Sequence, residues 1–210
     1  MEPANLLLFL VAALALNLTP GPDMLYVLAN GIGRGGRGGA LAALGISAGC
    51  IVHAVAAVAG LTALAATVPA ALTAIKLVGA AYLIWLGIDA WRHPPVLDAG
   101  AAARPAGDGF RIFRQGFVTN ALNPKVALFF LAFLPQFVSA NGWAAPLQIL
   151  ALGALFIVQG TVVLLAVALA AGALRRTLVR RPRIAGWIGR ISGSLMIGLG
   201  VRLAIGELRR

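Results

Sequence analysis

Two short polar motifs interrupt apolar segments of this sequence, and each combines asparagine, proline and a charged side chain. They read Asn17-Leu-Thr-Pro20-Gly21-Pro22-Asp23 and Asn120-Ala-Leu-Asn123-Pro124-Lys125. Proline inside a helix removes a backbone donor and clashes with the carbonyl one turn earlier, so each motif predicts a broken or sharply kinked helix. The freed carbonyls and the positive end of the restarting half-helix can bind the polar ends of a zwitterion. The alternative is a purely structural kink that neighbouring helices satisfy.

Three ionisable residues in apolar segments are candidates for moving protons or charge. Asp23 and Lys125 carry opposite charges, which are costly in a bilayer without a partner or water. Asp23 and Lys125 could alternately bind each other or a substrate, and Asp23 could bind a proton. Two structural alternatives stay open: a static ion pair between the two residues, or Asp23 as a helix cap. His53 could relay protons with Asp23, or simply bond one helix to another. Asn17 offers both a donor and an acceptor, and Gln159 could line a pathway or bridge helices.

No enzyme active-site pattern accompanies these residues. The sequence contains no H-E-x-x-H and no G-x-S-x-G motif, and its two histidines with the single Cys50 cannot build a usual zinc site. The stretch Gly31-Ile-Gly33-Arg-Gly35-Gly36 fits a dinucleotide pattern. Because it follows a membrane helix rather than a strand, it predicts a flexible turn instead. We expect a protein that is not an enzyme and holds no metal or cofactor, with Cys50 as a packing residue.

The composition indicates that lipid is the solvent in which these motifs must be positioned. Hydrophobic residues make up 60% of the 210 residues and charged residues 11%, against about a quarter charged in soluble domains. Long apolar segments then predict spanning helices, because every backbone polar group must be paired within the chain. The sequence predicts an all-α membrane protein with six transmembrane helices and a first helix that is retained rather than cleaved as a signal peptide. The six segments cover residues 4–29, 40–66, 70–91, 117–138, 145–173 and 184–205.

The net charge of +11 resides mainly in arginines that lie between the apolar segments. We interpret this charge as a signal of membrane orientation and not of nucleic-acid binding. The arginines concentrate in the first, third and fifth connections, so the positive-inside rule places those in the cytoplasm and both termini outside. Arg209 and Arg210 disagree with this orientation. The predicted location is the bacterial inner membrane, crossed several times.

The third connection divides the chain into two halves. Residues 92–116 are rich in alanine, glycine and proline and predict a mobile cytoplasmic linker. Within one transmembrane domain, residues 1–210, the linker separates repeat one (1–91) from repeat two (117–210). Each half has three spans and begins with an Asn/Pro-interrupted helix. Because three is odd, the second repeat must be inverted relative to the first, as in many secondary transporters.

The two motifs with their flanking residues, 17–27 and 116–137, resemble the LysE/RhtB family of amino-acid exporters, and the likeness extends along the chain in length and helix layout. The resemblance implies export of amino acids or close derivatives, homoserine- or threonine-like among them, driven by the proton motive force. The implied partners are a small amino-acid substrate, protons, membrane lipid and further copies of the chain. The implied substrate-binding positions are Asn17, Pro20, Gly21, Pro22, Asp23, Asn120, Asn123, Pro124 and Lys125.

The resulting hypothesis is alternating access between the two halves, with the substrate carboxylate near Lys125 and its ammonium near Asp23 and the freed carbonyls. A heavy-metal cation exporter is one alternative, although cysteine, histidine and intramembrane acids are scarce. A non-transporting membrane scaffold is another. Its helices would be held by the small-x-x-x-small patterns Gly45–Gly49 and Gly189–Gly193.

Overall fold

The described part of the chain is almost entirely helical. The computed structural model describes residues 3–67, 69–92, 109–139, 142–180 and 182–208. No strand occurs in these ranges, which confirms the all-α prediction. The helices are α1 (Pro3–Leu18), α2 (Pro22–Thr67), α3 (Pro69–Arg92), α4 (Gly109–Ala121), α5 (Pro124–Leu128), α6 (Ala145–Arg180) and α7 (Pro182–Leu208), with a π-helix (Phe129–Phe133) and a 3₁₀ helix (Leu134–Phe137) after α5.

Among the described residues, two helices are long and apolar enough to cross a membrane, and a bent helix pair could form a third span. The two are Pro22–Gly60, which contains the reversal at Gly35 described below, and Ala145–Ala171; the pair is Gly109–Ala121 with Pro124–Phe137, bent by 47°. Asn5–Leu18 and Gly193–Gly206 are shorter apolar helices. Large apolar side chains are exposed on many helices, as expected where lipid is the solvent. Membrane-spanning helices are thus confirmed, while the six-span inverted repeat stays a prediction.

Helix α2 reverses direction at Gly35. This residue has φ 73° and ψ −178°, a conformation that essentially only glycine adopts. A Cβ added at Gly39 would lie 3.0 Å from the Cα of Gly31, whereas residues eight apart in a straight helix are separated by about 12 Å. Residues 22–34 and 36–67 therefore run antiparallel. The first two predicted spans are therefore joined by a turn at one residue, Gly35, which lies within the Gly/Arg segment.

The helices approach closely where glycine faces a neighbouring backbone. A Cβ at Gly45 or Gly49 of α2 would overlap backbone carbonyl oxygens of α4. Gly193 of α7 meets the backbone of Gly87 in α3 in the same way. The pattern Gly45–Gly49 therefore permits close helix approach, as predicted.

The connections differ in how well the sequence predicted them. Helix α2 ends at Thr67 and α3 begins at Pro69, a residue type that favours the first position of a helix. Helix α4 begins at Gly109, inside the segment predicted to be a linker, and residues 93–108 lie outside the described residues. The helix forms because Ile112 and Gly116 are buried on one face. Because this buried face is short, it does not show as an apolar run in the sequence.

Two hydrophobic clusters border the region where the motifs meet. The phenylalanine cluster is built around Phe9, Phe129, Phe130, Phe133, Phe137 and Phe156. The alanine-rich cluster comprises Val27, Ala42, Ala43, Ile46, Ile112, Leu164 and Ala168. Members of both clusters and the motif residues together line one cavity.

Candidate functional site

The first motif interrupts the helix as predicted. Helix α1 ends at Leu18 and α2 begins at Pro22, with Pro20 and Gly21 outside regular helix. In a continuous helix, the carbonyl of Leu16 would accept from the N–H of residue 20, but proline has none. From the backbone beyond the helix end, that carbonyl accepts a bond from Thr19 N, at 3.2 Å. The break leaves backbone oxygens turned toward the centre of the protein.

Lys125 of the second motif binds these freed oxygens. Its Nζ donates to the carbonyls of Leu16 and Thr19 at 3.2 and 3.0 Å, and the side chain is buried. Asn123 caps α5, because its Oδ1 accepts from the Lys125 N–H at 3.0 Å, and Pro124 occupies the first helical position. The two motifs therefore meet, because the freed carbonyls of the first accept hydrogen bonds from the lysine of the second.

Gly21 allows the lysine ammonium to approach the break in the first motif. A Cβ at this position would lie 3.3 Å from Nζ of Lys125. That distance is tighter than ordinary van der Waals contact, so any larger residue would crowd the ammonium group.

Asp23 is held by the asparagines of the second motif. Its Oδ2 accepts from Nδ2 of Asn120 and of Asn123, both at 2.9 Å. Its Oδ1 is buried and has no hydrogen-bond partner among the described residues. The carboxylate neither forms an ion pair with Lys125 nor caps α2 in this part of the chain. Two opposite charges thus lie close together, each held by neutral groups.

The cavity beside these charges is small. Its volume is about 30 Å³, and a water needs roughly 10–15 Å³ of such space. It therefore has room for one or two waters but not for an amino acid. Its polar lining comes from Asn17, Thr19, Asp23, Ser47, Asn120, Lys125 and Thr161, and its apolar lining includes Leu16, Met24, Ile46, Val126, Phe156, Ile157 and Leu164.

Three buried polar atoms of the cavity lining lack a hydrogen-bond partner among the described residues. They are Nδ2 of Asn17, Oδ1 of Asp23 and Oδ1 of Asn120. Buried polar atoms in native proteins are nearly always paired, and exceptions are places where water or a ligand binds. The unpaired set contains one donor and two acceptors, the kinds of group that a zwitterion would need.

The predicted site residues divide into three groups by position. Asn17, Asp23, Asn120 and Lys125 line the cavity. Gly21 lies against Nζ, and Asn123 binds Asp23. Pro20, Pro22 and Pro124 shape the helix ends.

His53 lies next to this network but does not line the cavity. Its Nε2 is 2.8 Å from the carbonyl oxygen of Asn120, and its ring lies 6.2 Å from that of Phe130. This contact joins α2 to α4, and the proton relay stays a prediction. Gln159 bridges helices, donating to the carbonyl of Leu10 at 3.2 Å.

Sequence reasoning missed the wall that α2 and α6 contribute. Ser47, Phe156, Gly160 and Thr161 line the cavity. Each is an ordinary small or apolar residue in a long apolar helix, so nothing in its local sequence distinguishes it from packing residues. Among the described residues, no group of three or more His, Cys, Asp and Glu could hold a metal ion.

A family model of LysE type translocators matches residues 14–207, which include both motifs. The chain belongs to this family. The translocator is 32% identical over 198 residues to an uncharacterized membrane protein of Vibrio cholerae, covering 94% of this chain and 95% of that one. It is 31% identical over 196 residues to a homoserine/homoserine lactone efflux protein of Salmonella typhi, covering 93% and 94%. It is 35% identical to a leucine efflux protein of Salmonella choleraesuis over 134 residues, 63% of each chain.

No solved structure matches this LysE type translocator. Membership of the family confirms that the protein is a transporter and not an enzyme, and a multi-pass protein of the bacterial inner membrane.

Proposed function

We propose that this LysE type translocator exports small amino acids or close derivatives, and that the substrate binds between the two motifs. The efflux proteins among its relatives support amino-acid export as the general activity. The observation that carries the site is the buried pair of opposite charges, Lys125 and Asp23, in one cavity with unpaired polar atoms. An amino acid is a zwitterion, so its carboxylate and its ammonium group match these two opposite charges.

The unpaired groups divide into two sets that fit the two ends of an amino acid. The Lys125 ammonium has three donors, of which two are engaged by backbone carbonyls. Its third donor and Nδ2 of Asn17 are available for the substrate carboxylate. The free oxygens of Asp23 and Asn120 are acceptors for the substrate ammonium. Binding would satisfy buried atoms that otherwise lack partners, which favours the bound state.

Substrate entry requires the walls of the cavity to move, because about 30 Å³ does not hold an amino acid. The break at Pro20–Gly21 and the 47° bend after Ala121 are two places beside the site where regular helix is interrupted, and we propose that the walls move there. The phenylalanine cluster and the alanine-rich cluster would open in turn, one toward each side of the membrane. Two inverted repeats of three spans would supply the symmetry for this alternating access.

Proton coupling would operate at Asp23. A proton on this carboxylate would remove the charge that holds the substrate ammonium, so protons and substrate would compete for it. Asn120 links the carboxylate to His53, since it donates to Asp23 and its carbonyl lies 2.8 Å from Nε2 of His53. His53 is therefore a titratable group close to the site and the candidate proton relay, although Asn120, an amide, does not itself carry a proton between them.

Efflux of labelled amino acids from loaded proteoliposomes tests this proposal. Lys125→Met should abolish efflux while the protein still inserts into the membrane, since it keeps the apolar stem and removes the ammonium. Arg190→Gln removes a cation from an exposed position on α7 and should leave efflux unchanged. Wild-type efflux by Lys125→Met would exclude Lys125 from the site.

The proton step has its own variant. Asp23→Asn keeps a side chain that can accept from Asn120 and Asn123 but cannot change its charge. Efflux by this variant should no longer respond to an imposed pH gradient. If it retained full gradient-dependent efflux, the competition at Asp23 would be refuted.

A further inference from the structure

Two hydroxyl groups meet in a part of the cavity wall that is built by residues outside the two polar motifs. Oγ of Ser47, on α2, lies 2.6 Å from Oγ1 of Thr161, on α6. Each hydroxyl also lies within hydrogen-bond distance of the carbonyl four residues earlier in its own helix. These distances are 2.9 Å to Ala43 and 2.6 Å to Ile157. Both residues line the cavity and neither belongs to a motif.

The number of protons determines what this hydroxyl pair can bind. Each hydroxyl carries one proton and two acceptor lone pairs. The pair has two protons for three short contacts, so no proton is left for a ligand while both stay on these partners. Acceptor capacity remains on the two oxygens. In this arrangement the pair can accept a hydrogen bond from a ligand, whereas donating to a carboxylate would require one hydroxyl to give up its bond to a backbone carbonyl.

The surroundings determine which part of a ligand would reach the pair. Lys125 and Asp23 match the charged ends of an amino acid, as proposed above, and the side-chain oxygen of Asp23 is a stronger acceptor for ammonium than a hydroxyl. The cavity wall near the pair also carries Ile46, Phe156 and Leu164, which have no polar side-chain atom. If a substrate side chain extended toward α2 and α6, the Ser47–Thr161 pair would be the polar group available to bind it.

We propose that the Ser47–Thr161 pair is the subsite for the substrate side chain and that it selects a short neutral side chain ending in a hydroxyl. This inference rests on the proposed function. An apolar side chain of equal length would leave the pair's acceptor positions unused, and an acidic side chain could be bound only if one hydroxyl gave up its bond to a backbone carbonyl. Homoserine and norvaline form the matched test, because they differ only by a terminal hydroxyl in place of a methyl group.

The experiment measures efflux of labelled homoserine and labelled norvaline from proteoliposomes loaded at equal concentration. One hydrogen bond of about 1.4 kcal/mol corresponds to a tenfold preference, so the wild type should export homoserine about tenfold faster. In the double variant Ser47→Ala/Thr161→Val, homoserine efflux should fall while norvaline efflux is retained. The ratio of the homoserine rate to the norvaline rate should therefore approach one. Thr161→Ser keeps the hydroxyl and should keep the preference.

Thr119→Val is the matched control. Oγ1 of Thr119 donates to the carbonyl of Gln115 at 2.7 Å, the same bond to the preceding turn, but Thr119 does not line the cavity. This variant should show the wild-type ratio.

The outcomes separate the subsite from the transport function. Equal wild-type efflux of the two substrates, or an unchanged ratio in the double variant, overturns the subsite and leaves amino-acid export intact. Export of neither substrate, nor of any other amino acid, overturns the proposed function. If the double variant did not reach the membrane, the single variant Thr161→Val would decide: a lowered ratio supports the subsite, and an unchanged ratio overturns it.

Discussion

Asn120 and Asn123 provide a matched pair of substitutions that isolates the helix cap in the second motif. Their side chains are 2% and 3% exposed, and each donates one 2.9 Å hydrogen bond to Oδ2 of Asp23. Asn123 alone also accepts from the N–H of Lys125 as the N-cap of α5. The side chains of the two asparagines therefore differ in one hydrogen bond, the cap of α5.

The expected energies follow from this difference. Either alanine substitution removes a hydrogen bond to a charged acceptor, worth about 1.5–3 kcal/mol, and a similar buried volume. Only Asn123→Ala also removes the cap, which costs about 1 kcal/mol. We expect both variants to be less stable than the wild type, and Asn123→Ala to be less stable than Asn120→Ala by about 1 kcal/mol.

Reversible unfolding in mixed micelles, followed by tryptophan fluorescence, measures this difference as the free energy of unfolding. Equal values for the two alanine variants would refute the assigned cap. Wild-type stability in both variants would refute the contacts with Asp23 as well, and with them the geometry on which the proposed site depends.

Three further predictions concern glycine positions and one tryptophan. Gly49→Ala should lower the free energy of unfolding by about 1–3 kcal/mol, because its Cβ would overlap a carbonyl oxygen of α4; Gly60→Ala, with its nearest neighbour at 3.6 Å, should be close to neutral. Gly35→Ala should cost about 1–3 kcal/mol in the same assay through its positive φ, and a cost no larger than that of Gly36→Ala would contradict the reversal. Trp91→Phe should lower the melting temperature, since its indole donates to two oxygens of α7; an unchanged value would show that these bonds do not stabilise the α3–α7 contact.

The sequence alone determined the features that depend on local chemistry. Composition indicates helices in lipid, because an apolar backbone segment in a bilayer must pair its own polar groups. Proline has no N–H wherever it lies, so the interruption at Pro20–Pro22 followed from residue type. The same reasoning identified Asp23 and Lys125 as ionisable groups that need polar surroundings.

Other local features were hidden because their signals are weak. The first two turns of α4, Gly109–Gly116, lie in the segment that the sequence predicts to be a linker, because a helix with one short buried face resembles a polar loop in sequence. The Gly/Arg segment predicted a turn, but not that one residue, Gly35, would make the complete reversal.

Only the tertiary structure decided which groups meet across the chain. Lys125 and Asp23 were the natural ion pair by charge, yet the lysine binds carbonyls and the aspartate binds asparagines. The Ser47–Thr161 contact joins residues 114 positions apart. Hydrophobicity specifies that these helices enter a membrane, but it is non-directional and does not choose their neighbours. The pairing depends on helix rotation and close packing, which no short stretch of sequence contains.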